Sequence, residues 1–373
     1  MAGQLKVGGN IIASHSGVEG AGEVTLQNVT LGDSAVPSRS MNFRNKIING
    51  DMRIAQRGTS SSVSGLLGMQ IDRFQCEFYG VSVTHSQETL NNGLPYDNGL
   101  RYFYRMSNTS PSNNVTDYSR FTYKFESQDI SCSGWNYKDS SSSIVISFYA
   151  RSSLSGTYYL QLFAPNSSHQ IRKSFTLVEN VWKKIELTIS GNSNLVFNND
   201  VNHGLTMYIP AFYGTNWTDS SASLTDWQDY VNSNQTLDFN QNWCNTSSAT
   251  FDITGVQLEA GTVPTPFEHR PYGVELALCQ RYYSIISSVD CSAYYVAGQN
   301  APTFNFSYPQ TMRATPVITI SRQSNDSTNL TSIIQRNQTP NSFNLYLSGT
   351  ATGAVNFGHN GNEATLLMDA ELL

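Results

Sequence analysis

Five aromatic residues fall in one polar stretch of the chain: Tyr213, Trp217, Trp227, Tyr230 and Trp243, interleaved with Asn216, Asp219, Asp226, Asp229 and Asn242. A sugar ring has an apolar face that stacks on Trp or Tyr, and its hydroxyls need polar partners. Rings and amides in neighbouring loops are therefore candidates for a glycan groove. The same rings can instead fill a core or a subunit interface. Trp182, within VWKKIEL, reads as core. Carboxylates are the second chemical resource, because cleaving a glycosidic bond takes two acids held about 5 to 9 Å apart. Asp51, Asp72, Glu259 and Glu268 qualify by type, but Arg73, Arg270 and Arg281 are available to bind them as structural ion pairs.

Several chemistries are excluded. The six histidines are scattered singly, and neither a zinc-binding H-E-x-x-H, a G-x-S-x-G elbow, a phosphate-binding loop nor a dinucleotide fingerprint occurs. A net charge of −6 without any Lys/Arg cluster gives no footprint for a phosphate backbone, so nucleic acid is not an expected partner. No charged and apolar leader is recognisable near Met1, and no apolar run approaches membrane-spanning length. The expectation is a chain neither exported through a signal peptide nor inserted in a membrane. The five cysteines are odd in number and lack C-x-x-C spacing, so they read as reduced core residues, in keeping with folding in a reducing compartment.

The elements that must position the aromatics are strands. Charged residues make up only 13% of the chain, about half the usual share, yet 12% aromatic and 39% hydrophobic residues exclude wholesale disorder. Short alternating runs (Ile144 to Ala150, Tyr158 to Leu162, Phe175 to Leu177, Ile185 to Ile189, Leu205 to Phe212) predict an antiparallel two-sheet sandwich over residues 44–270. The polar segments 111–117 and 219–235 become loops at the sheet ends. Residues 1–43 carry apolar groups too sparse for a core and read as an extended arm that packs on a partner. Strands predicted at 293–296, 304–308, 316–320, 342–347 and 363–373 make residues 284–373 a small β domain, modest in apolar content and expected to complete its core by association.

The chain turns on FDITGVQLEAGTVPTPFEHRPYGVELALCQRYY, residues 251–283. Phe251, Ile253, Val256 and Leu258 fit a strand if Gly255 is a bulge. Pro264, Pro266 and Pro271 forbid regular structure, and a helix follows with Leu276, Cys279 and Tyr283 on one stripe. This stretch, with IINGDMRIAQRG at 47–58 and DRF at 72–74, resembles the closing and opening motifs of a carbohydrate-binding-module-type jelly roll of bacteriophage tail fibres and related virion proteins. The resemblance implies an all-β appendage protein of the virion, assembled in the host cytoplasm and usually homotrimeric. Other tail proteins and a host surface glycan would be its partners, and its role would be assembly and host attachment rather than catalysis. It also implies a structural calcium beside the first and last strands, for which Asn49, Asp51 and Asp252 offer hard oxygen ligands.

Overall fold

The computed structural model describes residues 4–7, 10–14, 43–63, 67–299, 301–321, 329–358 and 364–372. The chain forms two compact units, Met1–Phe43 and Arg44–Leu373. In the first, β1 (Gln4–Val7) and β2 (Asn10–Ser14) pair as an antiparallel hairpin whose register shifts between Leu5 and Lys6. Residues 15–42, most of the expected arm, lie outside the described residues.

The second unit is mostly β, as expected. Its sandwich is built, in chain order, from β3 (Ser60–Val63), β4 (Leu67–Gly68), β5 (Phe74–Tyr79), β6 (Ser82–Thr89), β7 (Tyr102–Ser110), β8 (Tyr118–Glu126), β9 (Ser143–Ser152) and β10 (Gly156–Ala164). It continues through β11 (His169–Leu177), β12 (Lys183–Ser190), β13 (His203–Tyr213), β14 (Gln228–Asp229) and β15 (Thr250–Ala260). One antiparallel sheet has the order β14-β11-β10-β13-β8-β5-β4, and the facing sheet β12-β9-β15-β7-β6-β3. Two short helices, α1 (Leu94–Asp97) and α2 (Ser127–Ser131), lie in the connections.

Alternation explains the core. Ile144, Ile146, Phe148 and Ala150 of β9 point inward, and from the other sheet Tyr158, Leu160 and Leu162 of β10 and Phe121, Tyr123 and Phe125 of β8 meet them. On β15, Ile253 and Val256 are both buried although three residues apart. Gly255 makes this possible: its φ is +61°, and the register slips between Thr254 and Gln257. A Cβ there would also sit 2.7 Å from Leu100 Cδ1. Trp182 is half-buried in a satellite cluster, edge-on to Phe103 with the Arg151 guanidinium 4.6 Å from its ring centroid.

Helix α3 (Tyr272–Gln280) begins directly after Pro271, which serves as its cap, and stops before Tyr283, which opens the next strand. Glu275 and Cys279 are buried within the chain, Leu276 is half-buried, and Tyr272 is exposed. The strands that follow are β16 (Tyr283–Val289), β17 (Cys291–Tyr295), β18 (Thr303–Ser307), β19 (Val317–Ser321), β20 (Leu330–Arg336), β21 (Ser342–Gly349), β22 (Gly353–Phe357) and β23 (Ala364–Asp369). They form the sheets β16-β23-β19, β17-β22 and β18-β21-β20. Phe343, Leu345, Leu347, Val355, Phe357, Leu366 and Met368 are buried together. These residues form a buried cluster contributed by one chain, while Val317 and Tyr294 of the same region are exposed.

The two motifs that carried the resemblance dock on each other. The 47–58 segment is not a strand: Asn49 and Met52 both have φ of +61°, and the backbone turns. Its edges still pair with β15, through Lys46 N–H to Leu258 O (2.8 Å) and Val256 N–H to Gly50 O (2.9 Å). Arg270 then reaches back to donate to Ile47 O (3.2 Å) and to Asn45 O, and it pairs with Glu268 and Glu275. The chain end is drawn in as well. Arg73 forms a buried ion pair with Glu371 and lies 3.5 Å from the Tyr282 ring centroid, while Gln75 Nε2 donates to Leu372 O at 3.0 Å.

Breaking that last pair leaves an uncompensated buried guanidinium, so Glu371→Ala is expected to cost about 3 to 5 kcal/mol in chemical denaturation. Asp72 gives a pH-dependent signature. It is buried, and burial pushes its carboxyl up to about 6, despite hydrogen bonds from Gln56 and the Arg57 charge. The native state therefore holds a proton that the unfolded chain has lost, and the stability linked to this group is present at low pH and declines as pH rises through about 6. The stability of the parent relative to Asp72→Asn should fall by about 2 kcal/mol between pH 4 and pH 7.5, at about 1.4 kcal/mol per pKa unit. A difference that stays constant over that range would refute the assignment.

Candidate functional site

Burial divides the five aromatics. Trp243 is fully buried, Tyr213 is 2% exposed and Trp227 is 7% exposed, so these rings offer no free face to a ligand. Trp227 donates its indole N–H to Ser190 O (2.9 Å), and the Tyr213 hydroxyl accepts from Arg120 Nη1 (2.9 Å). Trp227 and Trp243 lie in the segment between β13 and β15 and join the sandwich core, whereas Tyr213 is the last residue of β13 itself. Trp217 and Tyr230 remain half-buried. Tyr230 packs against Phe163, ring centroids 4.3 Å apart, and bonds Asn232.

Trp217 sits in an open depression of about 800 Å³, with Asn216, Thr218, Asp219, Asn232 and Asp238 among its lining residues. Its indole N–H donates to Thr116 O at 2.8 Å, and its ring meets Tyr118 edge-on at 5.5 Å. The ring is thereby oriented before any ligand arrives. Asp219 accepts from the Ser221 hydroxyl (2.6 Å) and amide (2.8 Å), which hold its carboxyl below the usual range and therefore ionised.

What fixes this loop is a polar sheet face that the sequence reading did not single out. Gln75, Thr122, Tyr208, Gln161 and Arg172 form one register row across β5, β8, β13, β10 and β11. Arg172, fully buried, donates from Nη2 to Asn234 O (2.5 Å), from Nε to Gln235 O (3.2 Å), and from Nη1 to Gln228 Oε1 (2.5 Å). Gln170 Nε2 adds a bond to Asn234 O at 2.9 Å, and Arg120 Nη1 one to Gln235 Oε1 at 3.1 Å. Alternation in HQIRKSF does place Arg172 opposite the core residue Ile171, but that pattern by itself reads as a solvated face.

The other expected sites do not assemble. Asp252 has both oxygens taken by Arg105 (2.8 and 2.9 Å) and Arg151 (2.9 Å). Asn49 Oδ1 accepts from Ile54 N–H at 2.9 Å, and Asp51 pairs with Arg53 at 3.0 Å. These three residues do not fit a calcium ion as a set, and among the described residues no group of three or more His, Cys, Asp and Glu converges. The four candidate acids are bound to cations: Asp51 to Arg53, Asp72 to Arg57 (4.0 Å), Glu259 to Arg44 (3.5 Å) and Glu268 to Arg270 (3.2 Å). Of the arginines expected to hold them only Arg270 does so, since Arg73 serves Glu371 and Arg281 serves Glu126. All five cysteines are free, four of them buried and Cys132 exposed. No helix among the described residues is long and apolar enough to cross a membrane.

No family model and no curated protein matches the chain. Distant matches to solved structures exist. One is the enzymatically active domain of tailspike protein 4 of bacteriophage CBA120, with 9% identity and a TM-score of 0.32, covering 58% of this chain and 22% of that one. Another is the family 11 carbohydrate-binding module of the Clostridium thermocellum cellulase Lic26A-Cel5E, with 13% identity and a TM-score of 0.27, covering 60% of this chain and 97% of that one. A family 61 module, TmCBM61, in complex with β-1,4-galactotriose matches at 9% identity and a TM-score of 0.26, covering 59% and 99%.

The two tryptophans should separate experimentally. Trp243→Ala is expected to destabilise the protein by about 3 to 5 kcal/mol through the cavity it leaves. Trp217→Ala, losing a half-buried ring, should cost less than half of that in the same denaturation assay.

Proposed function

We propose that this chain is a non-catalytic appendage protein of a bacteriophage particle that contacts host-surface glycan through the Trp217 groove. The observation that carries the reading is the oriented Trp217 in an open depression otherwise lined by hydroxyl, amide and carboxylate groups. An aromatic face with polar groups around it matches the two sides of a sugar ring. The loop is braced from beneath by Arg172, so little ordering would accompany binding. The virion assignment rests on the paired motifs at 47–58 and 251–283 and on the polar, weakly charged composition. A non-catalytic role is supported by the engagement of each candidate acid with an arginine.

In this reading the protein is a homotrimer whose N-terminal unit docks to other tail proteins. A single groove with one stacked ring binds weakly, and several copies on one particle supply avidity. A dedicated polysaccharide-recognition module is the runner-up, and the N-terminal unit discriminates: deleting residues 2–40 should abolish incorporation into particles while leaving glycan binding intact.

The test is adsorption to host polysaccharide by Trp217→Ala protein whose melting matches the parent. Loss of about 1 kcal/mol per site, the scale of one aromatic contact, is expected. Unchanged adsorption overturns the groove. Native mass spectrometry of the parent should give three chains, and a single-chain mass overturns the trimer.

A further inference from the structure

The C-terminal β region carries a second depression, unrelated to the Trp217 groove. It lies on the outer face of the sheet β18-β21-β20, opposite the core residues Phe343, Leu345 and Leu347. Two register rows define that face. Thr303, Tyr346 and Ile334 are aligned in one, and Asn305, Asn344 and Arg336 in the next. Tyr295 and Gln299, from β17 and the turn after it, complete a depression of about 520 Å³ with Ser348.

Its charge is unusual for this protein. The chain carries a net charge of −6, yet among the described residues lining the depression only Arg336 is charged. Its guanidinium carbon lies 4.8 Å from the Tyr346 ring centroid. Among the described residues, no carboxylate pairs with Arg336 and no acceptor takes its N–H groups. A guanidinium held over an aromatic ring, with no acceptor among the described residues, is suited to a bidentate carboxylate.

We propose that this depression is a binding site for a carboxylate-bearing sugar, a uronic-acid type of residue. Arg336 takes the carboxylate, Tyr295 and Tyr346 meet the apolar ring face, and Thr303, Ser348 and Gln299 bond the hydroxyls. An uncharged sugar would lose the strongest of these contacts, because hydrogen bonds between ionised groups are about twice as strong as neutral ones. An acidic peptide would use Arg336 but leave the hydroxyl and amide positions around the tyrosines without a matching partner.

The experiment titrates trigalacturonate and, as the uncharged counterpart, galactotriose into the full chain by calorimetry. A Trp217→Ala background keeps the first groove from contributing, so failure here and failure of the proposed function remain distinct. Trigalacturonate should bind about tenfold tighter than galactotriose, the worth of one charge-assisted contact. Arg336→Gln should remove that preference, and Tyr346→Ala should weaken both sugars about fivefold. Arg336 is exposed, so its variant should melt as the parent does and keep the test valid even if Tyr346→Ala unfolds. Equal affinity for the two sugars, a preference that survives Arg336→Gln, or no binding of trigalacturonate overturns the proposal.

Discussion

The structure depends on one buried cation. Arg270 is 8% exposed, so its charge must be met inside the protein. It is met from both ends of the sandwich sequence: the carbonyls of Asn45 and Ile47 come from before the first strand, and Glu268 and Glu275 from after the last. Asn45 extends the arrangement, its side-chain oxygen accepting from Ile47 N–H (2.9 Å) and Leu258 N–H (3.0 Å). Asn49 N–H donates to Glu275. Ends more than two hundred residues apart are thus held by bonds that cannot be given up singly, because each broken bond strands a buried polar group.

The same logic carries forward to the chain terminus. Helix α3 emerges from this clamp with Glu275 already committed, and immediately beyond it Arg281 and Tyr282 bond Glu126, at 2.9 and 2.6 Å. Arg313 then reaches Ala370 O (2.8 Å) and, in the sandwich, Val201 O (2.9 Å). Sandwich and C-terminal strands accordingly form one compact unit from Arg44 to Leu373. Ion pairs and hydrogen bonds such as Arg73–Glu371, Arg281–Glu126 and Arg313 to Val201 O join the two parts.

Arginines within the sheet also shape the candidate surface. Long polar loops normally lie loose over a sheet, but Arg172 and Arg120 draw the 214–241 segment down by its carbonyls and amides. That explains why Trp227 is in the core while Trp217, ten residues earlier, lines an open groove. The selection among aromatics is made by which backbone carbonyls the guanidinium groups can reach, and this is a property of strand register.

The sequence by itself determined the class of fold and much of its detail. Alternation in Ile144 to Ala150 and in Leu205 to Phe212 marked strands because side chains on a strand point to opposite faces with a period of two. Gly255 marked a bulge because three-residue spacing between Ile253 and Val256 admits no other strand geometry. The sequence failed at β6 and β7, where His85, Arg105 and Asn108 interrupt the apolar pattern, and at the 47–58 motif, which turns at Asn49 and Met52. Only the tertiary structure decided which aromatics are exposed, which arginine meets which acid, and that Arg336 stands beside Tyr346. Ion pairs such as Arg73 with Glu371 join residues nearly three hundred positions apart. Local sequence fixes the direction of a side chain relative to its own strand, whereas its partner is set by how distant strands are brought into register.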